Sequence, residues 1–156
     1  MLASRRAAGL TGLRPEDAVQ LLLPAIDALA AAHENQIAHR DIKPANLFVV
    51  SGARGPTMKV LDFGIAKAMQ EGEHLTQAAS HTATNFRAFT PNYAAPEQFA
   101  PKRYGVSGPW TDVHALGLVL FELLTDRPAY PGDDFVECLE AATADVRPSP
   151  RAHGAR

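Results

Sequence analysis

An internal disulfide is excluded at the outset, because the chain has one cysteine, Cys138, in 156 residues. A lone thiol fits a reducing compartment, and this one reads as a small buried hydrophobe. Membrane spans are lacking too: no stretch reaches the roughly 18 consecutive apolar residues that a spanning helix needs. The run Ala115-Leu116-Gly117-Leu118-Val119-Leu120-Phe121 is closed by Glu122 and reads as a buried core helix. Arg5 and Arg6 are followed by no continuous apolar stretch, so no secretory signal is indicated. Charge of one sign is missing as well. A net charge of −2 offers neither a nucleic-acid surface nor a basic membrane patch. Lysine is scarce: Lys43, Lys59, Lys67 and Lys102 are the only four. These absences predict a soluble, cytoplasmic protein with no nucleic-acid partner and no membrane segment in this chain.

What is there suits one domain. A composition of 46% hydrophobic and 21% charged residues is ordinary for a globular chain, and the length suffices for a core. Residues 1–12 are small, basic and weakly patterned, and are expected to be a frayed or disordered remnant. Residues 13–146 carry the pattern of a fold, and residues 147–156, opening on Arg147-Pro148-Ser149-Pro150, read as a tail. A helix is predicted from Pro15, with Glu16 and Asp17 favoured in its first turn by the helix dipole. Ala18, Leu21, Leu22, Ala25, Ile26, Leu29 and Ala32 recur at helical spacing and give one apolar face. Pro24 should kink that helix, since its ring blocks a backbone bond to Gln20.

Two β-prone runs follow, Leu47-Phe48-Val49-Val50 and Met58-Lys59-Val60-Leu61. They predict a hairpin whose loop is longer than the commonest two-residue turns. Such a hairpin returns the chain so that Asn46 and Asp62 lie side by side. Residues 65–94 have no stable period and carry Thr76, Ser80, Thr82, Thr84 and Thr90. A strongly apolar helix is predicted over residues 112–124, capped by Thr111 or Asp112 and ended at Asp126-Arg127-Pro128. Residues 134–143 form a further amphipathic segment with Phe135, Val136, Cys138 and Leu139 on its face.

Three clusters carry the chemistry: His39-Arg40-Asp41-Ile42-Lys43-Pro44-Ala45-Asn46, then Asp62-Phe63-Gly64, then Ala95-Pro96-Glu97. In identity, order and separation they resemble the catalytic loop, metal-binding turn and activation-segment end of a protein kinase. The resemblance is to bacterial eukaryotic-like serine/threonine protein kinases and covers residues 13–142. It implies an α+β, mainly α-helical fold: a kinase-like large lobe with a short β-hairpin at the catalytic site. Phosphoryl transfer needs little covalent help, chiefly a base, oxygen ligands for magnesium and a cation near the moving phosphate.

By that resemblance Asp41 is the base, Lys43 neutralises the transferred group, and Asn46 and Asp62 hold Mg2+. ATP is the implied cofactor, with Phe48 as the floor under its adenine. His39 and Phe63 belong to a hydrophobic stack, and Gly64 gives the metal turn its backbone freedom. Arg40 marks kinases switched by phosphorylation, for which Thr76, Thr82 and Thr84 are candidates. Thr90 reaches towards Asp41 and Lys43, Asp112 hydrogen-bonds the catalytic-loop backbone, and Glu97 pairs with a late arginine that the chain does not visibly supply. Lys43 and Pro44 favour Ser/Thr over Tyr specificity, and the implied partner is a protein substrate. Phe89 departs from the family, standing where a glycine is usual. His114 and Ala115 replace a more usual aromatic and serine.

A small lobe is not recognisable upstream. Gly9 and Gly12 form no Gly-rich strand, and no lysine precedes the catalytic loop. ATP then has a floor without a lid, so these residues alone are expected to turn over little or nothing. A separate small lobe or complementing chain is the implied partner. The alternative is a non-catalytic, truncated lobe acting as a binding module or a split-gene product. A small-molecule phosphotransferase of related fold ranks third, because Pro44 and Ala95-Pro96-Glu97 speak for protein substrates.

Overall fold

The computed structural model describes residues 12–52, 55–63, 90–130, 132, 134–153 and 155. Helix α1 spans Pro15–Glu34, with Pro15 in its first turn and Glu16 and Asp17 beside the N-terminal dipole. It buries Ala18, Leu21, Leu22, Ala25 and Leu29. Ile26, expected on that face, is instead 40% exposed, because it lies off the stripe that those five residues define. The helix runs on through Pro24.

Strands β1 (Leu47–Gly52) and β2 (Gly55–Val60) pair antiparallel, with Leu47 opposite Val60 and Gly52 opposite Gly55. Only residues 53 and 54 connect them, so the loop is shorter than the sequence predicted. Pairing extends through Ser51 and Pro56, and Gly55 takes the φ of +105° that a tight reversal requires.

Two one-turn helices, α2 (Pro96–Phe99) and α3 (Pro101–Tyr104), precede the long α4, Pro109–Thr125. Helix α4 begins earlier than the sequence suggested. Pro109 enters its first turn, and the Thr111 hydroxyl accepts the Gly108 N–H at 3.0 Å. Asp112 therefore caps nothing and is free for another task. Asp126 ends the helix in the left-handed region, φ +59°, returning its N–H to Glu122 O at 2.8 Å. Helix α5, Phe135–Thr143, is capped by Asp134, which accepts from the Val136 N–H. A single 3-10 turn, Pro150–His153, lies in the segment read as tail.

Helix α1 packs between the hairpin and α4. Their shared core joins Leu21, Leu22, Leu29, Ile42, Met58 and Val119. Burying each large aliphatic side chain there contributes roughly 1.5–3 kcal/mol. A smaller core holds Leu118, Tyr130, Cys138 and Ala142, and Cys138 is fully buried, as a small hydrophobe should be. At the N-terminal edge the Leu13 N–H donates to Leu123 O at 2.6 Å. A Cβ on the neighbouring Gly12 would collide with the Leu124 carbonyl. No helix among the described residues is long and apolar enough to cross a membrane.

Candidate active site

The loop from α1 to β1 is held from beneath by one carboxylate. Asp112 is fully buried and accepts the His39 N–H at 2.8 Å and the Arg40 N–H at 2.7 Å. His33 Nε2 lies 2.8 Å from the same carboxylate. This grip matters because Arg40 sits at φ +64°, a region that costs a non-glycine residue about 1–2 kcal/mol. His39, also fully buried, donates from Nε2 to Leu61 O at 2.8 Å. Its Nδ1 is then the acceptor facing the Asp41 N–H at 3.3 Å. Both ring nitrogens are spent on the backbone, and the ring lies 5.1 Å from that of Phe63. His39 is a core histidine in contact with Phe63.

Above this support, four side chains meet: Asp41, Lys43, Asn46 and Thr90. Lys43 Nζ lies 3.0 Å from Asp41 Oδ2 and donates to Thr90 Oγ1 at 2.8 Å. Asn46 Nδ2 donates to the Asp41 carbonyl at 2.8 Å and lies 3.4 Å from Asp41 Oδ2. Lys43 and Asn46 thus converge on Asp41, and Thr90, 47 positions beyond Lys43, joins them through its ammonium. The carboxylate retains only 14% of its accessible surface, so a hydroxyl brought to it meets an oriented acceptor beside an ammonium group.

The hairpin brings the backbones near Asn46 and Asp62 together, because the Leu61 N–H donates to Asn46 O at 2.9 Å. Asp62 takes φ +54° and is exposed. With Nδ2 of Asn46 committed to Asp41, its Oδ1 remains as an oxygen ligand. An amide oxygen and a carboxylate form a hard donor pair of the kind magnesium accepts alongside phosphate oxygens and water. These residues fit Mg2+. No group of three or more His, Cys, Asp or Glu gathers as a metal centre among the described residues. Phe48 is 52% exposed on β1, open to a flat ligand. Gly64, Lys67, Thr76, Ser80, Thr82, Thr84 and Phe89 lie outside the described residues.

Glu97 is buried, and among the described residues its partner is a hydroxyl rather than an arginine: Thr111 Oγ1 donates to it at 2.6 Å. Other contributors escaped the sequence reading. His33 has no local signal beyond lying in the last turn of α1. Gln98 donates to Arg40 O at 2.9 Å and accepts the Ala95 N–H at 3.0 Å. Its place three residues after the N-cap is the capping-box position and could have drawn notice. Tyr93 donates to Glu122 at 2.6 Å. Burial, then that carboxylate, pushes its phenol pKa well up.

The profile of the protein kinase domain matches residues 5–149. The chain belongs to the protein kinase family. Serine/threonine-protein kinase PrkC of Bacillus subtilis is 39% identical over 124 residues, which are 80% of this chain and 17% of that protein. PknB of Mycobacterium tuberculosis is 36% identical over 145 residues, 92% of this chain and 21% of its own length. PknB of Mycobacterium leprae is 36% identical over 119 residues, covering 76% and 17%. Within the family, the chain is thus of the bacterial, eukaryotic-like serine/threonine type. It spans about one fifth of the length of the curated relatives it matches.

Proposed function

We propose that this chain carries the catalytic face of a serine/threonine protein kinase, which moves the γ-phosphate of ATP to a protein hydroxyl. The observation that supports it most is the convergence of Lys43 Nζ on both Asp41, at 3.0 Å, and Thr90, at 2.8 Å. Asp41 accepts the substrate hydroxyl's proton and aims its oxygen. Lys43 sits where charge accumulates on the transferred group, and Thr90 fixes the ammonium there. Asn46 and Asp62 would hold the metal, and Phe48 would lie under the adenine ring. Magnesium, when bound with ATP, supplies charge neutralisation across the phosphates. Asp112 and His39 keep the loop in shape before substrate arrives, which is how positioning lowers a barrier.

The binding step is tested with a fluorescent ATP analogue titrated into the chain with and without Mg2+. Magnesium-dependent binding lost in Asp62→Ala is expected. In a phosphotransfer assay with a kinase small lobe supplied in trans, Asp41→Asn is expected to abolish whatever turnover the chain shows. Binding indifferent to both Mg2+ and Asp62 would sink the catalytic reading. A second reading, a non-catalytic lobe that docks on a partner, draws on Phe48, Val49 and Leu61, which are 52%, 40% and 38% exposed around the hairpin.

A further inference from the structure

The peptide unit joining Arg40 to Asp41 is held at each polar atom. Its carbonyl accepts Gln98 Nε2 at 2.9 Å, and its N–H faces His39 Nδ1 at 3.3 Å. The Arg40 N–H just before it goes to Asp112. Two of these partners lie within or beneath the catalytic loop. The third comes from α2, immediately after Ala95-Pro96-Glu97, and the same Gln98 amide accepts the Ala95 N–H through Oε1. One side chain therefore bonds at once to the loop that carries Asp41 and to the start of the helix that follows Thr90. A carboxylate has no donor for the first bond and an ammonium has no acceptor for the second.

We propose that Gln98 is a positioning residue that couples the geometry of Asp41 to the order of residues 95–98. Relaxing Arg40 from its φ of +64° swings the carbonyl that Gln98 holds, so the bond opposes that relaxation. The bond is partly buried beside a crevice lined by Arg40, Ile42, Tyr93, Gln98 and Ala115. Coupling of this kind is reciprocal: displacing residues 95–98 loosens Asp41, and fixing Asp41 orders residues 95–98.

The inference rests on the catalytic reading of Asp41, but its test needs no turnover. Gln98→Glu keeps an acceptor for the Ala95 N–H and removes the donor to Arg40. Amide hydrogen exchange of the full chain, followed by NMR, is expected to accelerate about tenfold at Arg40 and Asp41. Amides of α4 and of Ala95 should keep their protection, and the Asp41 15N resonance should move upfield as the Arg40 carbonyl bonded to that nitrogen loses its donor. Unchanged exchange at Arg40 and Asp41 overturns the proposal. Should the glutamate unfold the chain, Gln98→Met decides. Acceleration reaching Arg40 and Asp41 supports coupling, whereas acceleration confined to residues 95–99 reduces Gln98 to a cap and sinks it. Failure of magnesium-dependent nucleotide binding would remove the catalytic reading while leaving this exchange pattern intact, so the two failures are distinguishable.

Discussion

Asp112 and Arg40 lie 72 positions apart, yet the Asp112 carboxylate accepts the Arg40 N–H at 2.7 Å and, through its other oxygen, the His39 N–H at 2.8 Å. A buried carboxylate thus satisfies two backbone donors at the turn that precedes Asp41. Asp112→Asn preserves shape but turns an NH2 group onto one of those donors, and a buried donor left unmet costs about 1–3 kcal/mol. Asp112→Ala abandons both and should cost roughly twice that. Urea unfolding checks this: the midpoint should fall in that order at unchanged slope. Equal midpoints for wild type and Asp112→Ala would show that the grip contributes nothing.

Among the described residues Thr90 bonds to the site through Lys43, so its contribution should depend on its hydroxyl and not on its bulk. Thr90→Val removes the acceptor 2.8 Å from Nζ, and a bond to a charged group is worth about 1.5–3 kcal/mol. Phosphotransfer in the presence of a small lobe should fall roughly ten- to hundredfold, while Thr90→Ser retains most of the rate. A valine variant as fast as wild type would separate Thr90 from the positioning of Lys43.

Local pattern made the helices legible. Pro15 with Glu16 and Asp17 announced α1, and the spacing of Ala18, Leu21, Leu22, Ala25 and Leu29 found its buried stripe. The hairpin was readable from its β-prone runs, but its length was not, because Ser51 and Pro56 extend the ladder without any strand propensity of their own. Family resemblance pointed to Asp41, Lys43, Thr90 and Asp112. His33, Gln98 and the Tyr93 to Glu122 bond stayed hidden for a physical reason. Each joins elements distant in sequence, and neither helical nor strand periodicity carries information about which polar groups will meet across such a gap.

Tyr93 gives an optical readout of one such long-range bond. Its phenol donates to Glu122 at 2.6 Å, and burial, reinforced by that carboxylate, raises its pKa. A raised folded value favours the protonated phenol, so this stabilisation is present below the ordinary tyrosine value of about 10 and is lost as pH climbs beyond it. In an ultraviolet titration of the three tyrosines, Tyr93→Phe should delete a late-ionising step. It should also cost about 1 kcal/mol at neutral pH. Burial raises the Tyr130 phenol as well, so one late step should remain, and late absorbance undiminished in the phenylalanine variant would show that Tyr93 is not a protected phenol.

His114 sets an acid-side dependence. Desolvation lowers its pKa, Arg147 adds to the lowering, and Glu97 and a backbone bond to Ala94 oppose it. Tyr130 Oη lies 3.5 Å from its Nε2. Because the folded state resists protonation, the unfolded chain binds the proton first as pH falls through about 6.5. Stability contributed by neutral His114 is therefore full above that value and declines below it, until the folded group also protonates. Urea midpoints measured from about pH 7.5 down to about pH 5 should fall less steeply for His114→Gln than for wild type. The comparison isolates this group because the other five histidines act equally in both chains. Parallel slopes would mean that protonation of His114 costs the folded state nothing.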